Sequence, residues 1–159
     1  MGLISGCVRP QSEGSLYPRL SVPTGGNETL MTRPRLLLID DEPQLAAFVA
    51  NAAQLSGFLP IETSQDDEFR IAFDQSRPEM VVLDLGMPGM DGVELLRFLA
   101  EREFKGPVLI ISGFDARILE SAYRLGEELG LKMTGPIEKP ARLDELESIL
   151  KSNLPSPAP

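Results

Sequence analysis

Short apolar runs that each stop abruptly on a polar residue, separated by stretches of helical length and period, leave this chain few folds to choose from. Arg35-Leu36-Leu37-Leu38-Ile39 ends on Asp40-Asp41-Glu42, and Val81-Val82-Leu83 ends on Asp84 and a turn rich in Gly and Pro, Leu85 to Gly92. Pro107-Val108-Leu109-Ile110-Ile111 ends on Ser112-Gly113, and a last stretch, Met133 to Glu138, ends on Lys139-Pro140. Apolar runs without alternation read as strands covered on both faces. Phe58 to Glu62 is a further short strand.

Between them lie helices. Pro43 opens the first as its N1 residue, with Leu45, Phe48, Val49, Ala52 and Leu55 on one face and Gly57 as the C-terminal cap. Asp66 to Ser76 carries Phe69, Ile71 and Phe73; Gly92 to Arg102 carries Val93, Leu96 and Leu99. Asp115 caps a helix to Leu129 with Ile118, Leu119, Ala122 and Leu125, and Leu143, Leu146, Ile149 and Leu150 define the last. Alternating β and α units imply right-handed crossovers and an α/β, doubly wound parallel sheet with helices on both faces. The apolar residues of those faces are expected in the core.

If the strands are parallel, their ends converge on one rim, where such sheets bind ligands. That rim then offers an acid pair, a single acid, a hydroxyl and an ammonium. Carboxylates at this density suit Mg²⁺, which takes one or two of them and keeps several waters. Lys139 and Ser112 are placed to hold oxygens of a transferred phosphoryl group, and Asp84 to accept it as a carboxylate nucleophile. Each residue also has a plainer role. Asp40 and Asp41 suit a helix cap, Asp84 and Asp91 a turn, Ser112 a strand end and Lys139 a solvated loop. The ordered set, more than any member, points to phosphoryl chemistry.

From about Arg35 to Leu150 these motifs resemble the receiver domain of bacterial two-component response regulators. The resemblance implies a flavodoxin-like five-stranded sheet in the order 2-1-3-4-5, spanning residues 33–152; the flanking stretches, Gly-, Ser- and Pro-rich without helical or alternating period, are expected to be a disordered extension at 1–32 and a disordered tail at 153–159. It implies that Asp40 and Asp41 bind Mg²⁺, the second directly and the first largely through water, and that the main-chain carbonyl of Gly86 is a further ligand beside Asp84. Asp84 would take phosphate from a histidine kinase or a His-phosphotransfer protein. Ser112 matches the hydroxyl that turns toward the phosphoryl group, and Lys139 the Lys before a commonly cis Pro, here Pro140. Gly113 and Phe114 border the same site. Bulk at Phe114 would either shield the acyl phosphate from water or merely pack, and the phospho-Asp84 lifetime of Phe114→Ala separates the two. Ser112 to Arg117 with Glu138-Lys139-Pro140 looks more narrowly like receivers that precede EAL-type cyclic-di-GMP phosphodiesterase domains. Only one helix and a short tail follow, which fits a stand-alone receiver or a piece of something longer.

One departure bears on output. The position three before Lys139, usually an aromatic that swings inward with the Ser or Thr, is Pro136. Signalling would then use helix shifts on the face formed by Asp115 to Leu129 and Arg142 to Lys151, toward a protein effector or a second copy in a homodimer. A phosphate-independent receiver-fold interaction module is the alternative. A phosphatase of the aspartyl-phosphate kind needs a second acid two residues after its nucleophile; that position is Gly86. The chain is therefore expected to act on its own modification and not as a turnover enzyme.

Composition closes other routes. The absence of His excludes a His base, a catalytic triad and the role of phosphohistidine carrier. The net charge is −9, and residues 1 to 34 carry three Arg against two Glu, which leaves −10 on the remainder. So acidic a domain without a basic stripe is not expected to bind DNA directly. A single cysteine, Cys7, rules out an internal disulfide framework. Ile4-Ser5-Gly6-Cys7 resembles a lipoprotein box but lacks room for the preceding apolar core, and Gly6 stands where a myristoylation signal wants Ser or Thr. Met31 is a plausible second start. No apolar run approaches the ~18 residues of a membrane span, so a cytoplasmic location is expected. Met87 and Met90, as soft thioethers, are lid or packing residues beside a hard site.

Overall fold

A computed structural model describes residues 33–86, 92–113 and 116–155. Its elements alternate: β1 (Arg35–Ile39), α1 (Pro43–Ser56), β2 (Leu59–Thr63), α2 (Asp66–Ser76), β3 (Met80–Asp84), α3 (Gly92–Glu101), β4 (Pro107–Ser112), α4 (Ala116–Glu128), β5 (Lys132–Glu138) and α5 (Leu143–Ser152). The five strands form one sheet in the order β2-β1-β3-β4-β5, and all pairings are parallel. The expectation of a doubly wound 2-1-3-4-5 sheet holds, with strand bounds displaced by about one residue, as strand ends usually are. The extension expected at 1–32, residues 156–159 of the tail expected at 153–159, and Met87, Met90, Asp91, Phe114 and Asp115 lie outside the described residues.

Alternation along each strand builds two cores. Leu37, Ile39, Val81, Leu83, Val108 and Ile110 face α2, α3 and α4. Leu36, Leu38, Met80, Val82, Leu109 and Ile111 face α1 and α5. Successive residues of a strand point to opposite faces, so a run with no polar interruption can feed both layers at once. β3 and β4 are buried throughout.

Helical faces depart from expectation in part. In α1 Val49 and Ala52 are buried against the sheet as expected, with Ala46, Ala50 and Ala53 beside them, while Leu55 is 60% exposed and Leu45 only half-buried. A stripe of alanines lets the helix approach the sheet closely, and the longer side chains ride its flanks. Ile71, Ile118 and Leu143 are likewise exposed, not core. Beside Ile71 the adjacent Ala72 is buried instead, while Leu119 and Leu146, expected on the same faces as Ile118 and Leu143, are buried as expected. Gly57 ends α1 in the left-handed region at φ 107°, its N–H reaching the carbonyls of Ala53 and Gln54, as expected of a glycine cap.

β5 is an edge strand with an irregularity. Leu109 pairs with Thr134 and Ile111 with Ile137, so Ile110 lies opposite both Gly135 and Pro136. Gly135 takes φ 84°, and a side chain there would collide with Leu109. Pro136, with no N–H to donate, is accommodated on this bulged edge.

Candidate functional site

Parallel pairing carries the C-terminal ends of β1, β3, β4 and β5 to one edge of the sheet, and with them Asp40, Asp41, Asp84, Ser112 and Lys139. The acids flank the gap between β1 and β3, where the strand order reverses and the flanking crossovers part. Asp40 and Asp84 are buried and Asp41 is exposed, yet each offers an oxygen within 4.8 Å of the others'.

Asp84 is held from two sides. Its Oδ1 accepts a hydrogen bond of 2.9 Å from the Gly86 N–H, and its Oδ2 lies 3.2 Å from Lys139 Nζ. The carboxylate is thereby fixed in orientation at the end of a wholly buried strand. Asp40 Oδ1 accepts the Glu42 N–H at 2.9 Å, which turns the chain into α1. The Asp40 N–H in turn donates to the Thr63 carbonyl at 3.1 Å, tying the end of β1 to β2.

Ser112 is fully buried. A β-carbon added to Gly86 would stand 3.6 Å from both Asp84 Oδ1 and Ser112 Oγ, so these two oxygens border one small space that glycine leaves open. The Lys139 N–H donates to the Ser112 carbonyl at 2.9 Å, joining the ends of β4 and β5. Gly113 lies beside the Lys139 stem, and the peptide bond from Lys139 to Pro140 is cis. Pro140 borders a cleft of about 950 Å³ that runs from Asp41 and Lys139 toward Leu45 and Phe48.

Electrostatics follow from this crowding. Burial pushes the Asp40 carboxyl up to about 6, and the nearby Asp84 charge adds to the rise against the opposing Glu42 N–H and Lys139. Burial alone would lower the Lys139 ammonium, but its bond to Glu42 and the charges of Asp84 and Asp40 more than reverse this, so it is raised. Carboxylates in excess of cations, with hard oxygen donors gathered within 4.8 Å of one another, fit a divalent cation of the Mg²⁺ type, which takes one or two carboxylates directly and keeps several waters.

Glu42 belongs to the site and had no role assigned from sequence. Its Oε1 lies 2.9 Å from Lys139 Nζ, closer than either aspartate. The signal was visible as a third acid directly after the pair. Glu42 stands at the N-cap of α1, yet its side chain makes no cap hydrogen bond.

Comparisons with known proteins bear on the family and the fold. The model of the response regulator receiver domain matches residues 36–151. The transcriptional regulatory protein TrcR of Mycobacterium tuberculosis is 32% identical over 127 residues, covering 78% of this chain and 49% of that protein. The positive alginate biosynthesis regulatory protein of Pseudomonas aeruginosa is 31% identical over 119 residues, covering 73% of this chain and 45% of that protein. This chain thus spans about half the length of these curated relatives. A response regulator from Colwellia psychrerythraea, known from a crystal structure, superimposes with a TM-score of 0.63 at 27% identity, over 75% of this chain and 94% of that one.

Proposed function

Because this chain belongs to the response regulator receiver domain family, we propose that it is a phospho-acceptor signalling domain whose Asp84 receives a phosphoryl group from a histidine kinase or His-phosphotransfer protein. The observation that carries the proposal is the Asp84 carboxylate itself: buried, oriented by Gly86 and Lys139, and within 4.8 Å of two further carboxylates.

An Asp84 oxygen attacks the phosphorus of a phosphohistidine. A carboxylate O–P bond forms, the N–P bond breaks, and the electron pair leaves on the imidazole nitrogen, which takes up a proton. Lys139 neutralises charge on the phosphoryl oxygens as a point charge, and Ser112 donates its hydroxyl to one of them. Gly86 keeps clear the space those oxygens need. Asp40, Asp41 and Asp84, with the Gly86 carbonyl, would hold Mg²⁺, which when bound offsets the carboxylate repulsion and draws charge from the phosphoryl group. Slow hydrolysis returns the free carboxylate, so the chain acts on its own modification without turning over a separate substrate.

The phosphorylated and free forms are two states of one fold, and a partner that prefers one shifts the balance. The α4 and α5 surface is the proposed contact for a protein effector or a second copy, in the cytoplasm and without direct DNA binding. Pro136 in place of the switch aromatic favours one rival: a module that binds its partner irrespective of phosphorylation. Asp84→Asn binding the partner as the phosphorylated wild type does would favour that rival. The acceptor assignment is tested by exposing the protein to acetyl phosphate and Mg²⁺, reducing with borohydride and mapping peptides. Homoserine at position 84 is expected; homoserine at position 40 or 41 instead would overturn it.

A further inference from the structure

Lys139 is shared. In the phospho-acceptor reading, on which this inference rests, its ammonium must meet the phosphoryl oxygens, yet in this structure its shortest contact is to Glu42, at 2.9 Å against 3.2 Å to Asp84 and 3.9 Å to Asp40. Glu42 is not one of the three acids whose oxygens cluster closely enough to share a metal ion. Its side chain is 63% exposed while the Lys139 side chain is 19% exposed, so the pair runs from the mouth of the site inward. Its backbone is anchored independently through the N–H donated to Asp40 at 2.9 Å. A residue that caps a helix ordinarily folds its side chain back onto the first turn; this one reaches across to the β5–α5 connection instead.

We infer that Glu42 is a positioning residue, a latch that holds the Lys139 ammonium toward the mouth of the site, short of Asp40 at 3.9 Å and at the long end of hydrogen-bond distance, 3.2 Å, from Asp84. A cation already paired with a carboxylate repels a second one brought to the same oxygens and draws off their charge. A lysine free to settle on Asp84 and Asp40 competes with an incoming divalent cation for them, and a lysine tethered by Glu42 competes less. The tether is exposed and so cheap to open, which lets Lys139 move inward once a phosphoryl group supplies new oxygens.

Aspartate at position 42 separates a latch from a mere nearby charge. It keeps the charge but is one methylene, about 1.5 Å, shorter, and at a helix N-cap its carboxylate turns back to the first-turn N–H groups. Mg²⁺ alone, titrated by calorimetry into the full chain, gives the readout. Glu42→Asp should raise the Mg²⁺ dissociation constant about two- to fivefold, the range an exposed ion pair is worth. The same substitution in a Lys139→Ala background should leave it unchanged, since there is no ammonium left to hold. Wild-type affinity in Glu42→Asp, or an equal rise in both backgrounds, would overturn the latch. The titration needs no phosphoryl transfer. A wild type that binds Mg²⁺ but takes up no phosphoryl group would defeat the acceptor reading and leave the Glu42–Lys139 coupling to be decided on its own.

Discussion

Replacing Asp40 by asparagine should stabilise the metal-free protein, although it removes a charged residue that sits near a lysine. Asp40 is 5% exposed and has an oxygen within 4.8 Å of those of Asp41 and Asp84. Burial, reinforced by Asp84, lifts its carboxyl from 3.8 to about 6. The folded state therefore holds this proton more tightly than the unfolded chain does. Below about pH 4 both states are protonated and nothing is lost; between about 4 and about 6 the unfolded chain ionises first and stability falls; above that window the full cost is present. At about 1.4 kcal/mol per pH unit the ceiling is about 3 kcal/mol. Asparagine can still accept the Glu42 N–H, and the value of about 6 already includes the opposing attraction of Lys139 at 3.9 Å, so no further loss is subtracted; with relaxation around the site the expected gain is about 1–3 kcal/mol near neutral pH. Urea denaturation of wild type and Asp40→Asn in EDTA, from about pH 4 to about pH 8, reads this directly. The two proteins should converge at the acid end and separate through the window, and added Mg²⁺ should stabilise the wild type more than the variant. A variant no more stable than wild type near neutral pH, or a gap independent of pH, would refute the reasoning.

Two further outcomes follow from the same geometry. Lys139→Met removes the ammonium that would meet the phosphoryl oxygens, so phosphorylation by acetyl phosphate at saturating Mg²⁺ should slow by about 100-fold, as when one preorganised donor to a developing anion is lost; intact-mass time courses measure it. Leu55→Glu should change stability by no more than about 0.5 kcal/mol, because Leu55 is 60% exposed, whereas Ala53→Glu drives a carboxylate into the sheet interface and should prevent folding or cost several kcal/mol; denaturant midpoints compare them.

What was legible beforehand follows from how each signal is encoded. An uninterrupted run such as Leu36 to Ile39 has one physical meaning in a β/α alternation, burial on both faces, and the polar residue that ends it has to emerge at the rim. The strands and the convergence of Asp40, Asp41, Asp84, Ser112 and Lys139 were therefore accessible from spacing. Helical faces were less so. In α1 the expected face, Leu45, Phe48, Val49, Ala52 and Leu55, is right at Val49 and Ala52 but misses Ala46, Ala50 and Ala53 and overrates Leu55, because which flank of the stripe meets the sheet is a tertiary quantity that hydrophobicity alone misranks. The doubling of Gly135 and Pro136 opposite Ile110 could not be seen in one strand, because a bulge is a property of a pair. Glu42 escaped for a similar reason: its partner, Lys139, is 97 residues away.

The central claim is that Asp84 accepts a phosphoryl group. Intact-mass spectrometry after incubation with acetyl phosphate and Mg²⁺, on wild type and Asp84→Asn side by side, tests it most directly. The account predicts a gain of one phosphoryl group in the wild type, none in the variant, and none in either when EDTA replaces Mg²⁺. An equal gain in both proteins, or no gain in a wild type shown to bind Mg²⁺, would contradict it.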